Sequence, residues 1–335
     1  NVNYLLQGPP APAPLVVCIH GINGSIASFS ALEPRLRARG LRVLLYDLYG
    51  FGLSAASRGR LDHHTYVQQL QGLLDFLGIT NASLLGFSMG GIVAIEFAKC
   101  NPERVTRLLL AAPGGLLQRA ETPCAPLLFG CLRTRLGCVL LNIVSCLACC
   151  CRHPIRRAAR KGRLDGTFQL DVREPERFSD ICHDNMRRFL WNPKRSLTSY
   201  LRALRSMPLW SDDFRSGFES LAASNVPVLF LWGNNDCTIP WMEVREELLD
   251  IFGDSEVSCI HLNRAGHHML IEDADQAAIY ISAWFMNSQD PSWNQLLRSW
   301  QVKELAAQVL ARQRQQSQGT PFHPTPALVG TSTSL

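Results

Sequence analysis

Apolar residues in this chain gather in short runs, set between stretches whose apolar positions recur at helical spacing. The runs at 2–7, Leu15–Ile19, Arg42–Tyr46, 83–87, Val105–Ala111, 228–232 and 257–262 have strand length. Continuous apolar strands are those buried on both faces. Between them, 30–39, 65–77 and 91–100 read as helices, and another helix is expected between the last two strands. In 65–77 the apolar positions Val67, Leu70, Leu73, Leu74 and Leu77 share one face, and Gly78 is the stop. Strands alternating with helices predict an α/β fold: a mostly parallel sheet covered on both sides.

The alternation breaks between 116 and 222, where helical patterns continue without clear strands. This predicts one core in two parts, 1–115 and 223–288, with a mostly helical cap inserted at 116–222. A C-terminal piece, 289–335, follows, with a helix at 293–313. Its last stretch, 316–335, is rich in Gly, Pro, Ser and Thr and is expected to be disordered.

Composition changes little. The chain has 335 residues, 47% hydrophobic and 18% charged, with a formal net charge of +5. That is a globular composition. Six of the basic residues crowd into 152–163, but no recognition module for nucleic acid accompanies them, and no nucleic-acid partner is expected. The twelve cysteines form no evenly spaced framework. Reduced thiols in an intracellular protein are the plain reading. Cys146, Cys149, Cys150 and Cys151 cluster, but a second well-spaced pair is missing, so no zinc is expected there.

The candidate chemistry begins at Gly86-Phe87-Ser88-Met89-Gly90, a G-x-S-x-G. Alone the motif is a weak signal. Here an apolar strand precedes it and a helix follows, the strand–turn–helix setting that projects a serine from a strained turn. The glycines leave room for that turn. The helix start aims amide dipoles at the place where negative charge would develop. Ser88 is therefore the candidate nucleophile, and the Met89 amide the first oxyanion donor.

A serine hydroxyl needs a base. Adjacent His267 and His268 follow the last strand of the core, and spacing does not separate them. His63 and His64 lie at a helix start and are expected to be exposed. Asp236, in Trp232-Gly233-Asn234-Asn235-Asp236-Cys237-Thr238-Ile239-Pro240, is the candidate acid, against the bland reading of an exposed turn carboxylate. The order Ser, Asp, His suits a triad on this kind of sheet.

Together these segments resemble the α/β-hydrolase superfamily over roughly residues 2–286. His20-Gly21-Ile22-Asn23-Gly24-Ser25 is similar to its His-Gly-x loop, Ala265-Gly266-His267 with Glu272 to its base loop, and Asp47 to Ser54 to a structural turn. The resemblance implies Ser88, Asp236 and His267 as catalytic residues and the amides of Ile22 and Met89 as the oxyanion hole. Gly86-Phe87-Ser88-Met89-Gly90-Gly91 is similar to esterases of the monoacylglycerol-lipase kind. The resemblance implies hydrolysis of a carboxylic ester, expected to be lipophilic, such as a monoacylglycerol or lysophospholipid. Thioester, peptide or carbon–carbon cleavage, and a non-catalytic binding role, are the alternatives. No cofactor and no metal are expected.

One further segment stands out. Residues 136–151 carry no charge, end in cysteines and meet the basic stretch 152–163. Sixteen residues are short of a bilayer span. Either they form a core helix of the cap, or acylated cysteines and basic residues give peripheral membrane contact.

Overall fold

The structure, a computed structural model, describes residues 1–56, 59–118, 193–253 and 259–286. The cysteine-rich and basic segments, the expected helix at 293–313 and the tail lie outside the described residues.

Seven strands form one sheet: β1 (Tyr4–Gln7), β2 (Leu15–Ile19), β3 (Arg42–Tyr46), β4 (Ala82–Phe87), β5 (Val105–Ala111), β6 (Val228–Gly233) and β7 (Cys259–Leu262). Their order across the sheet is β1-β3-β2-β4-β5-β6-β7. Only β1 runs antiparallel, against β3; every other pair is parallel. The strands β2 and β4 are buried along their whole length, as their unbroken apolar runs predict.

The connections matter for function. From β2 the chain moves one way through α1 (Glu33–Ala38) to β3. It then crosses back through α2 (His63–Phe76) to β4, and α3 (Met89–Cys100) carries it the other way to β5. Neighbouring β2 and β4 therefore send their outgoing loops in opposite directions. Such a switch point opens a crevice at the carboxyl ends of the strands. His20-Gly21 leaves the end of β2 and Ser88 leaves the end of β4.

Helices cover both faces. The last described helix, α8 (Ala274–Met286), packs on α1, joined by the Arg35–Asp275 ion pair at 2.6 Å. Its Trp284 indole donates to Leu108 of β5 at 3.2 Å. This helix was not foreseen, although Ala277, Ala278, Ile281, Trp284 and Phe285 mark a helical apolar face. The other group is α2, α3 and α5 (Ser211–Ala222), with Phe214, Phe218 and Leu221 of α5 buried. Residue His63, expected to be exposed, is half-buried at the start of α2, because Phe214 packs 6.1 Å from its ring; His64 is exposed.

After β5 the chain departs and returns at one place. Gly115 donates to Leu209 at 3.1 Å, and Ser211 to Leu117 at 2.9 Å. The described part of the excursion ends in α4 (Pro193–Ser206), which packs on the loop after β3: Arg195 donates to the Ser54 carbonyl. Two helices, α6 (Trp241–Phe252) and α7 (Met269–Glu272), complete the described chain.

Candidate active site

The turn after β4 sets Ser88 at φ 54°, ψ −123°, a conformation that side-chain-bearing residues seldom adopt. Such a residue costs on the order of 1–3 kcal/mol and persists only where its surroundings hold it. Here the Ser88 amide donates to Ala111 at 2.9 Å, and its carbonyl accepts from Gly91 at 2.8 Å and Gly114 at 3.0 Å. The flanking glycines answer to different neighbours. A methyl on Gly86 would come within 2.7 Å of the Gly90 carbonyl oxygen and the Gly91 Cα. A methyl on Gly90 would come within 2.2 Å of the Ile19 carbonyl oxygen, at the end of β2. One glycine serves the turn; the other lets two strand ends approach.

Three side chains from three loops meet. The Ser88 Oγ lies 3.1 Å from His267 Nε2, and His267 Nδ1 lies 2.8 Å from Asp236 Oδ2. All three are buried. With its Nδ1–H donating to the carboxylate, the imidazole turns its Nε2 lone pair toward the serine hydroxyl, which donates. The geometry separates the two adjacent histidines. His268 packs 5.9 Å from the Phe87 ring and 5.6 Å from the His267 ring instead. Nor is Asp236 an exposed turn carboxylate: its other oxygen accepts from the amides of Thr238 at 2.9 Å and Ile239 at 2.8 Å. These bonds fix the carboxylate plane and satisfy a buried charge.

The acid loop and the base loop hold each other. Asn234 donates its amide to Leu262 at 3.0 Å, and Asn235 to Ala265 at 3.1 Å. The Asn235 side chain also reaches the Asn263 carbonyl at 3.3 Å. A methyl on Gly233 would meet the Gly266 carbonyl oxygen at 2.2 Å. The Trp232 indole closes the acid loop by donating to Ile239 at 2.8 Å. Glu272 accepts the Gly266 amide at 3.3 Å, beside the base. Sequence reasoning missed Asn234 and Asn235, because bonds between loops about thirty residues apart leave no local pattern, and it missed Trp232, whose indole closes its own loop on Ile239.

The loop after β2 borders Ser88. A methyl on Gly21 would come within 3.0 Å of Ser88 Cβ. His20 anchors this loop from below: its Nδ1–H donates to the Gly21 carbonyl at 2.7 Å, and its Nε2 accepts the Leu48 amide at 3.0 Å. Burial pushes the pKa of this imidazole down, which keeps it neutral in that role. Asp47, buried, accepts from Asn3 at 2.7 Å, Ile26 at 2.8 Å and Leu53 at 2.8 Å, and so ties three segments together as a structural turn residue. Among the described residues the Ile22 amide has no acceptor. The Met89 amide belongs to the first turn of α3, where an N–H has no acceptor within its own helix.

A model of the alpha/beta hydrolase family matches residues 16–279. The chain belongs to that family. As an alpha/beta hydrolase it is similar to a 2-hydroxy-6-oxononadienedioate/2-hydroxy-6-oxononatrienedioate hydrolase of Cupriavidus pinatubonensis, 30% identical over 268 residues, which are 77% of this chain and 81% of the relative. Among solved structures it is similar to an esterase from Exiguobacterium antarcticum, with TM-score 0.60 and 21% identity over 85% of this chain and 95% of that one. It is also similar to an enol-lactonase from Burkholderia xenovorans, with TM-score 0.59 and 21% identity over 84% and 94%. Those two likenesses establish the fold. Among the described residues no helix is long and apolar enough to cross a membrane.

Proposed function

We propose that this hydrolase cleaves carboxylic esters by acyl transfer through Ser88, with His267 as general base and acid and Asp236 as its orienting carboxylate. The observation that carries the reading is the unbroken relay from Ser88 Oγ through His267 to Asp236, at 3.1 and 2.8 Å.

In the first half-reaction His267 Nε2 takes the Ser88 proton as Oγ attacks the ester carbonyl carbon. The carbonyl oxygen becomes an oxyanion and accepts from the amides of Ile22 and Met89. The intermediate collapses, and His267 returns the proton to the departing alcohol. In the second half-reaction His267 takes a proton from water, whose oxygen attacks the acyl carbon. The ester bond to Ser88 breaks, and the serine recovers its proton from His267. Asp236 stays ionised and stabilises the imidazolium in both steps.

The cap is proposed to be the inserted segment 116–222, across whose base Ser211 donates to Leu117. A lipophilic acyl group is proposed for the substrate from the apolar sequence of that segment. A second reading, carbon–carbon hydrolysis, is favoured by the name of the relative above. A 6-oxo dicarboxylate contains no ester, so hydrolysis at its ketone breaks a carbon–carbon bond.

The test is turnover of p-nitrophenyl esters of graded chain length beside a 2-hydroxy-6-oxo-dienoate, for wild type and Ser88→Ala. Ester turnover lost in the variant supports the first reading, and its chain-length optimum sizes the acyl pocket. Turnover of the ketone alone replaces it with the second.

A further inference from the structure

We infer that His63, His64 and Glu96 form a binding site for a divalent transition-metal ion of the zinc class, separate from the Ser88 relay. His63 and His64 are the first two residues of α2, and Glu96 lies two turns into α3. One ligand atom from each lies within 4.8 Å of the other two. The two imidazole rings stand 4.0 Å apart, centre to centre.

The donor set is right for such an ion. Two imidazoles and one carboxylate suit Zn²⁺ with an open position for water. Tetrahedral bonds of about 2.0–2.1 Å require ligand atoms about 3.4 Å apart. The exposed His64 ring is free to turn by that small amount.

A second observation points the same way. Glu96 is 3% exposed, yet its carboxylate has only distant partners. Lys99 Nζ lies 3.4 Å from each oxygen, and the Cys100 thiol 3.8 Å from one. Charge-assisted bonds to carboxylates ordinarily run about 2.7–2.9 Å. On the facing helix, the Nδ1 of His63 is buried and accepts or donates no hydrogen bond among the described residues. A buried carboxylate held loosely and a buried imidazole nitrogen with no bond are both costly. A metal ion held by both residues would satisfy the carboxylate, and would satisfy Nδ1 where that nitrogen is the ligand.

The surrounding charges allow it. Lys99 is half-exposed and can swing into water when a cation takes its place. The amino end of α2 disfavours a cation, and the Asp62 carboxylate that caps it, at 2.9 Å from the Thr65 amide, offsets that. The site ties α2 to α3, the helix that starts at the nucleophile turn. Its effect is therefore on stability.

The test uses the full chain, stripped with EDTA and titrated with Co²⁺, then with Zn²⁺ as competitor. An N/O ligand set gives weak visible Co²⁺ bands without intense thiolate charge transfer, which separates this site from the twelve cysteines. The expected result is one equivalent of such Co²⁺, displaced by Zn²⁺, with Tm raised about 5 °C at a hundredfold excess of Zn²⁺ over Kd. His64→Ala should weaken that binding by roughly a hundredfold and abolish the rise in Tm. Glu96→Gln should do the same. Should the buried Glu96 variant fail to fold, exposed His64 decides the matter. Identical Co²⁺ spectra and Zn²⁺-dependent Tm in wild type and His64→Ala would overturn the site.

Discussion

Ser88 sits on a turn that its own neighbours in sequence shape, whereas Asp236 and His267 sit on two loops that hold each other. The nucleophile turn has its strain, its glycines and its helix start within six residues, 86–91. The Asp236–His267 pair depends on Asn234 and Asn235 reaching across to Leu262, Ala265 and Asn263, while Trp232 closes the Asp236 loop on itself through Ile239. The first kind of support is local and stiff. The second exists only when β6 and β7 pair in register, with Gly233 opposite Leu262. What this teaches is that one relay can rest on two supports with different ways of failing.

The comparison can be broken most sharply at the nucleophile. Ser88→Ala should lower kcat/KM by about 10⁶-fold, as loss of a triad serine does elsewhere, and should end labelling by a fluorophosphonate probe. Labelling that survives the substitution would place the nucleophile elsewhere. On the other support, Asp236→Asn should cost about 10⁴-fold in kcat while the fold stays intact, because the amide cannot hold the working imidazole tautomer. An unchanged rate would remove Asp236 from the relay.

Substitutions that leave the relay atoms alone test the supports. Gly90→Ala drives a methyl to 2.2 Å from the Ile19 carbonyl oxygen, so the backbones of β2 and the turn must separate. The expected loss is about 4 kcal/mol of stability, with activity falling alongside, measured by urea denaturation. Gly72→Ala, in the exposed middle of α2 with nothing within 4 Å, should stabilise by about 0.5–1 kcal/mol. A similar gain at both positions would show that helix propensity, not close approach, governs Gly90.

A pH effect comes from the β7 side. Burial pushes the His261 pKa down to about 4, and its ring packs edge-on to Trp241 at 4.8 Å. The unfolded chain binds a proton there below about pH 6.5, whereas the folded chain does so only near pH 4. Stability at neutral pH should thus be lost progressively as pH falls from about 6.5 to 4, by about 2 kcal/mol once partial exposure is allowed for. His261→Phe should flatten that part of the stability curve. If the slope is the same in both proteins, the titrating group lies elsewhere.

Legibility followed the same division. The strands β2 to β7 and the turn at Ser88 could be read from the chain because apolar runs and G-x-S-x-G are local patterns. Helix boundaries shifted by a few residues where capping decided them, as at Asp62, which starts α2 two residues earlier than the apolar spacing suggests. Helix α8 carries an apolar face at Ala277, Ala278, Ile281, Trp284 and Phe285 that is legible in its spacing.

By itself the sequence determined the alternation of buried strands and helices, the strained serine turn and the order Ser88, Asp236, His267. Each of these is written in neighbours along the chain. The tertiary structure alone placed the His267 ring between Ser88 and Asp236, made Asp236 a buried carboxylate, gave Gly90 its strand-contact reason and brought His63 and His64 against Glu96. The physical reason is distance. Hydrogen bonds at 2.8–3.1 Å between groups 31 and 179 residues apart exist only once the sheet has folded to bring them together.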